Sequence, residues 1–125
     1  DELIDYKFMC FNGEPKCLFL CLDRHSDEGL KIDVYDMDWN PMPFGRKRKR
    51  SGRHIPKPKC FNEMAKMARK LSEGIPFVRV DFYEVNGQIY FGELTFFPAS
   101  GMEEFKPEHY DELLGNWITL PGKIN

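Results

Sequence analysis

Two Asn-Gly dipeptides, Asn12-Gly13 and Asn86-Gly87, constrain this chain more than any other feature. Asn-Gly tolerates positive φ at both central positions of a tight turn, so it marks a hairpin when apolar runs flank it. The first dipeptide lies between Tyr6-Lys-Phe-Met-Cys-Phe11 and the run from Lys16 to Leu22. The second lies between Phe77-Val-Arg-Val-Asp-Phe-Tyr83 and Gln88-Ile-Tyr-Phe-Gly-Glu-Leu-Thr95. A fifth run, Leu30 to Tyr35, alternates apolar and polar residues as a half-buried strand does. Eleven Phe, five Tyr and two Trp in 125 residues agree with sheet rather than a helical bundle.

Helical spacing enters only later. From Cys60 to Glu73, Phe61, Met64, Ala65, Ala68 and Leu71 form one apolar stripe. Gly74 suits the left-handed position after a helix, and Pro76 forbids its continuation. A second helix is expected after Pro107, with Tyr110, Leu113 and Leu114 on its apolar side. Between Trp39 and Lys59 the pattern dissolves into a long loop, where four prolines bracket the basic run Arg46 to Arg50. The expected fold is α+β: an antiparallel sheet of about five strands with two helices, forming a single domain over residues 1–125.

Composition narrows the function classes. At 42% hydrophobic, the chain can bury one core. Its net charge of −2 gives no global field for nucleic acid or membrane. No run approaches the ~20 apolar residues of a membrane span, and Asp1 to Asp5 show neither the basic start nor the apolar run of a secretory leader, so none is expected here. With no initiator Met, a piece of a longer protein is the expectation. Cys10, Cys17 and Cys21 sit inside apolar runs, and no two of the four cysteines, Cys60 included, form a CxxC pair. Reduced structural thiols in a cytoplasmic protein are the expectation. His25, His54 and His109 are isolated and read as surface or satisfied histidines. Asp33, Asp36 and Asp38 read as a solvated strand edge.

The second hairpin holds the chemistry, and one residue of register decides whether it is a site. Arg79 and Asp81 share a face of one strand; Glu93 and Thr95 share a face of the other. If Val85 pairs with Gln88 across a two-residue Asn-Gly loop, Asp81 sits opposite Gly92 and Glu93 points away. If Glu84 pairs with Gln88 across a three-residue loop, Arg79 faces Glu93, Asp81 faces Phe91, and all four polar residues converge. Two convergent carboxylates suit Mg²⁺, which takes phosphate oxygens as further ligands, and an adjacent arginine suits a transferring phosphoryl group. The plainer alternative is a solvent-facing Arg79–Glu93 ion pair, worth little.

Phe77-Val-Arg-Val-Asp81, Ile89-Tyr-Phe-Gly-Glu-Leu-Thr95, Pro98 and Gly101 resemble the C-terminal metal motif of ATP-grasp enzymes. Together with Asp5-Tyr-Lys-Phe8, Phe11-Asn-Gly13, Tyr35-Asp-Met-Asp-Trp39, Lys57-Pro58, Glu63-Met64 and Lys70-Leu-Ser72, the ordered set resembles TupA-like ATP-grasp proteins from about Asp5 to Pro121. The resemblance implies the C-terminal ATP-grasp subdomain, using ATP and Mg²⁺ or Mn²⁺. It implies Asp81 and Glu93 as metal ligands, Arg79 as the catalytic phosphate contact and Lys7 as a second phosphate contact; for Lys7, an exposed strand lysine is the alternative. Thr95 stands where the wider superfamily often has Asn as a metal ligand. The implied reaction is ligation of a carboxylate to an amine through an acylphosphate. The implied setting is teichuronopeptide or capsular polysaccharide assembly, with a carboxylate-bearing saccharide or amino acid as substrate. The adenine pocket and phosphate loop would come from an N-terminal half, so this chain alone is expected to be inactive. A non-catalytic interaction module is the rival reading. Nucleic-acid binding through Arg46 to Arg50, with Trp39 and Phe44 nearby, is a weaker one, because no nucleic-acid fold motif accompanies the run.

Overall fold

A computed structural model describes residues 3–22, 26–42 and 50–96. Six strands and one helix follow in the order β1 (Asp5–Phe11), β2 (Glu14–Leu22), β3 (Lys31–Asp36), β4 (Pro41–Met42), α1 (Phe61–Ser72), β5 (Phe77–Val85) and β6 (Gln88–Phe96). They make a single sheet of order β4-β3-β2-β1-β5-β6, and every neighbouring pair is antiparallel. Both Asn-Gly turns have two central residues at positive φ, Asn12 at 54° and Gly13 at 82°, then Asn86 at 51° and Gly87 at 77°. That geometry matches the right-handed twist of the strands it joins.

Alternation divides the sheet into two faces. Tyr6, Phe8, Leu18, Leu20, Val80 and Phe82 belong to a core that also takes in Phe61, Met64, Ala65 and Ala68 of α1. Phe8 lies at the centre, 5.9 Å from the Phe61 ring and edge-on to Phe82 at 5.6 Å. The opposite face carries a smaller apolar cluster, including Met9, Phe11, Phe19, Val34 and Phe77. Phe11 and Phe77 stack there at 4.7 Å.

The helix begins where expected, with Cys60 as its N-cap residue. No cap side chain serves it; instead the Cys60 N–H donates to the Glu84 carboxylate on β5 at 2.7 Å. A carboxylate at this end also complements the helix dipole. Gly74 adopts φ +77° just past the C-terminus, as its position predicts. The apolar stripe differs in its last turn, where Ser72 is buried and Leu71 is exposed.

Three further departures concern the stretch without periodicity and the strand before it. Pro41 and Met42 form the short edge strand β4, which raises the strand count to six. Trp39 is buried: its ring stacks on Tyr35 at 4.6 Å and its indole N–H donates to the Ile55 carbonyl at 2.8 Å. This indole is therefore core and offers no stacking platform for a base. Asp33 is buried too, accepting from the backbone N–H and hydroxyl of Ser51. Asp36 instead closes a turn, accepting from the backbone N–H groups of Asp38 and Asn40. The second helix expected after Pro107 lies outside the described residues, as do Pro98, Gly101, His25, His109, Phe44 and Arg46 to Lys49.

Candidate functional site

The second hairpin combines parts of both registers the sequence left open. Its loop is the two-residue one, with Val85 opposite Gln88. Continued evenly, that pairing would set Asp81 opposite Gly92 and push Glu93 onto the helix-packed face. The register shifts between Asp81 and Phe82, so Phe82 faces Phe91 while Asp81 faces Glu93 and Arg79 faces Thr95. One extra residue on one strand is a β-bulge, and here that residue is Gly92. A Cβ on Gly92 would meet Tyr83 Cε2 at 3.0 Å, the Asp81 carbonyl oxygen at 3.2 Å and Asp81 Cβ at 3.3 Å. The missing side chain makes the room, and the bulge turns Glu93 and Thr95 to the face of Asp81 and Arg79. The three-residue loop, with Arg79 facing Glu93 and Asp81 facing Phe91, is not formed.

β1 completes the group. Lys7 pairs with Asp81, and Met9 with Arg79. Lys7, Asp81 and Glu93 thus form one row across β1, β5 and β6, with Arg79 and Thr95 in the next row. Residues directly opposite on adjacent strands share a face, and this face lies away from α1.

The contacts are specific. The Lys7 ammonium donates to Asp81 Oδ2 at 2.7 Å and also meets Asp5 Oδ2 at 3.0 Å. Arg79 donates through Nε to Asp81 Oδ1 at 2.9 Å and through a terminal nitrogen to Oδ2 at 3.2 Å. Asp81 is 2% exposed, so charge-assisted bonds to both of its oxygens are what make its burial tolerable. Burial on its own would lower the Lys7 ammonium, but the hydrogen bonds and charges of Asp81 and Asp5 outweigh it and hold Lys7 above its ordinary value. Arg79 therefore pairs along its own strand with Asp81, and the surface pair with Glu93 is not what forms. Glu93 is exposed, and the Thr95 hydroxyl donates to its Oε2 at 3.3 Å. Asp5 is the member that residue-by-residue reading missed. Its position two residues before Lys7, on the same strand face, was the available signal.

As a metal centre the arrangement fits in part. Glu93 offers an accessible carboxylate and Thr95 a hydroxyl, the oxygen donors that Mg²⁺ takes. Asp81 shares their face, yet two cations hold its oxygens. Among the described residues no three His, Cys, Asp or Glu side chains are grouped to hold a metal ion. Lys7 and Arg79, by contrast, are paired cations suited to phosphate oxygens.

All four cysteines are free thiols; Cys10, Cys17 and Cys21 are buried and Cys60 is half-buried. No helix among the described residues is long and apolar enough to cross a membrane.

None of the curated proteins and none of the solved structures matches the chain. A model of the TupA-like ATPgrasp family matches residues 1–119 of the 125, which includes both hairpins, the helix and the charged row between them. The chain belongs to the TupA-like ATP-grasp family.

Proposed function

We propose that this chain supplies the phosphate- and metal-facing wall of an ATP-grasp active site. Lys7 and Arg79 bind phosphate oxygens of ATP, and Glu93, with Asp81 and Thr95, holds Mg²⁺ or Mn²⁺. The observation that carries this reading is the row Lys7–Asp81–Glu93 across three strands, with Arg79 and Thr95 beside it. The metal, when bound, neutralises phosphate charge during transfer. Arg79 is positioned to stabilise charge on the transferring phosphoryl group.

Family membership supports one reaction class, ligation through an acylphosphate. A substrate carboxylate attacks the terminal phosphoryl group, giving an acylphosphate and ADP. An amine then attacks the acyl carbon, phosphate departs, and the nitrogen loses a proton. We assign the substrate to carboxylate-bearing saccharides or amino acids in teichuronopeptide-like or capsular polysaccharide assembly, and the site to the cytoplasm, where free thiols persist. The adenine pocket and phosphate loop belong to an N-terminal half, so ligation requires both halves.

One observation favours a second reading, a non-catalytic module that keeps the fold: both oxygens of Asp81 are already bonded to cations. Calorimetric titration with ATP, with and without Mg²⁺ or Mn²⁺, separates the two. It is run on the chain, on its Asp81→Asn/Glu93→Gln variant, and on the chain joined to its N-terminal half. Metal-dependent binding that the variant abolishes supports the enzyme. A folded two-half protein that binds no nucleotide supports the module.

A further inference from the structure

The bonds to Asp81 suggest an order of events at this face. Arg79 bonds both oxygens of the Asp81 carboxylate, Lys7 adds a second bond to Oδ2, and Lys7 is itself shared with Asp5. A divalent cation approaching Asp81 meets two positive charges within hydrogen-bond distance of the oxygens it needs. A phosphate group meets the reverse, two cations that share the Asp81 carboxylate, with Asp5 as a second partner of Lys7 alone. We propose that Lys7 gates Asp81: in the nucleotide-free chain Lys7 blocks metal from this carboxylate, and it releases Asp81 only when phosphate oxygens take over its bonds. This rests on the assignment of Asp81 to the metal above, and adds that the resting site excludes metal by charge.

Asp5 is what makes the exchange workable. When Lys7 turns from Asp81 toward phosphate, the ammonium keeps one carboxylate partner 3.0 Å away. A half-buried cation with no partner would be costly to expose to such a switch; a shared one moves between anions without being stripped. Asp5 is thus a positioning residue for Lys7. Phosphate and metal binding are then coupled, each strengthening the other, as linkage requires of any two ligands that compete with a common internal contact.

The test is titration of the chain with Mn²⁺ alone, read by loss of the free-ion electron paramagnetic resonance signal, with fold checked by circular dichroism. Replacing Lys7 by Gln removes one charge beside Asp81, and the expected result is Mn²⁺ binding at least about tenfold tighter than in the native chain. Lys7→Arg keeps the charge and is expected to bind Mn²⁺ as the native chain does. Adding Asp81→Asn to Lys7→Gln is expected to abolish the gain. Should Lys7→Gln fold poorly, Arg79→Gln removes the other cation and is expected to tighten Mn²⁺ binding in the same sense. Equal Mn²⁺ affinity in the native chain and the folded neutral variants overturns the gate. The result is independent of the nucleotide titration. ATP binding without a Lys7 effect on Mn²⁺ removes the gate and leaves the ATP-grasp site; a Lys7 effect without ATP binding keeps the block on metal but overturns its release by nucleotide phosphate.

Discussion

The two hairpins begin alike and end differently. Each turns on Asn-Gly at positive φ, and each carries one extra residue: Lys16 in the first, between the partners of Met9 and Cys10, and Gly92 in the second. In the first hairpin the strands are buried on both faces, with Phe8 and Leu18 toward the helix and Phe19 and Cys17 away from it. In the second, β5 is buried but most of β6 is exposed, and the face away from the helix carries Arg79, Asp81, Glu93 and Thr95. The same turn and the same kind of bulge therefore serve two ends. Between strands buried on both faces the bulge keeps apolar residues in register; at the sheet edge it brings charged ones together.

The difference is expected to appear first in stability. Phe8→Ala in the first hairpin removes a ring packed against Phe61 and Phe82 and is expected to cost about 3–5 kcal/mol in chemical denaturation. Phe91→Ala in the second removes a half-exposed ring 6.3 Å from Phe82 and is expected to cost about 1 kcal/mol or less. Similar losses from both would break the contrast.

A smaller effect is expected within the charged face. Asp81→Ala leaves Lys7 and Arg79 without their shared partner, at an expected cost of about 2–3 kcal/mol. High salt should change this loss little, because the carboxylate is buried. A loss that vanishes in salt would mean an exposed pair of little consequence.

The two bulges are compared by substitution. Gly92→Ala places a Cβ against the Asp81 backbone and is expected to destabilise by about 1–2 kcal/mol and to weaken the Asp81–Glu93 pairing. Lys16→Ala at the first bulge is exposed and is expected to fall within about 0.5 kcal/mol of the native chain. Nuclear Overhauser contacts across β5 and β6 report whether the register survives.

A further effect of about this size is a pH dependence that includes β1. Burial pushes the Cys10 thiol from 9.0 up to about 11. Burial, with the charge of Glu84, pushes the Tyr6 hydroxyl up to about 12. Both stay neutral in the fold while the unfolded chain ionises, so their contribution is complete below pH 9 and is lost as pH rises through the folded values. The Cys10 part amounts to about 1 kcal/mol by pH 10. Lys7, also raised, acts in the same direction at higher pH. Cys10→Ala should lessen the fall in melting temperature between pH 8 and 10, the remainder coming mainly from Cys17, whose thiol burial also pushes up; an unchanged slope would assign the Cys10 part elsewhere.

Much of the fold was legible because the signals are local. Asn-Gly fixes a turn, period-two alternation fixes a strand face, and Gly74 with Pro76 fixes the helix end. What escaped is tertiary. Trp39 opens a stretch without periodicity and Asp33 holds a polar position of an alternating strand, and only the Ile55 carbonyl and Ser51 show why they are buried. Ser72 takes a core position on a helix whose apolar pattern pointed to Leu71. The charged face was half legible. Residue types and alternation named Arg79, Asp81, Glu93 and Thr95, but the convergence was tied to a three-residue loop. It arises from Gly92, whose closeness to Asp81 belongs to the paired strands and to no local pattern. Asp5 was missed for a related reason, since its meaning depends on β1 lying beside β5.

The most direct test of the central claim, that the charged face of the second hairpin receives ATP, is a titration of the ¹⁵N-labelled chain with ATP and Mg²⁺ followed amide by amide. Saturable shifts should centre on Lys7, Arg79, Asp81, Glu93 and Thr95, with the helix-facing core of the first hairpin unmoved. Shifts confined to the opposite sheet edge around Asp33 and Ser51, or none at millimolar nucleotide, would contradict it.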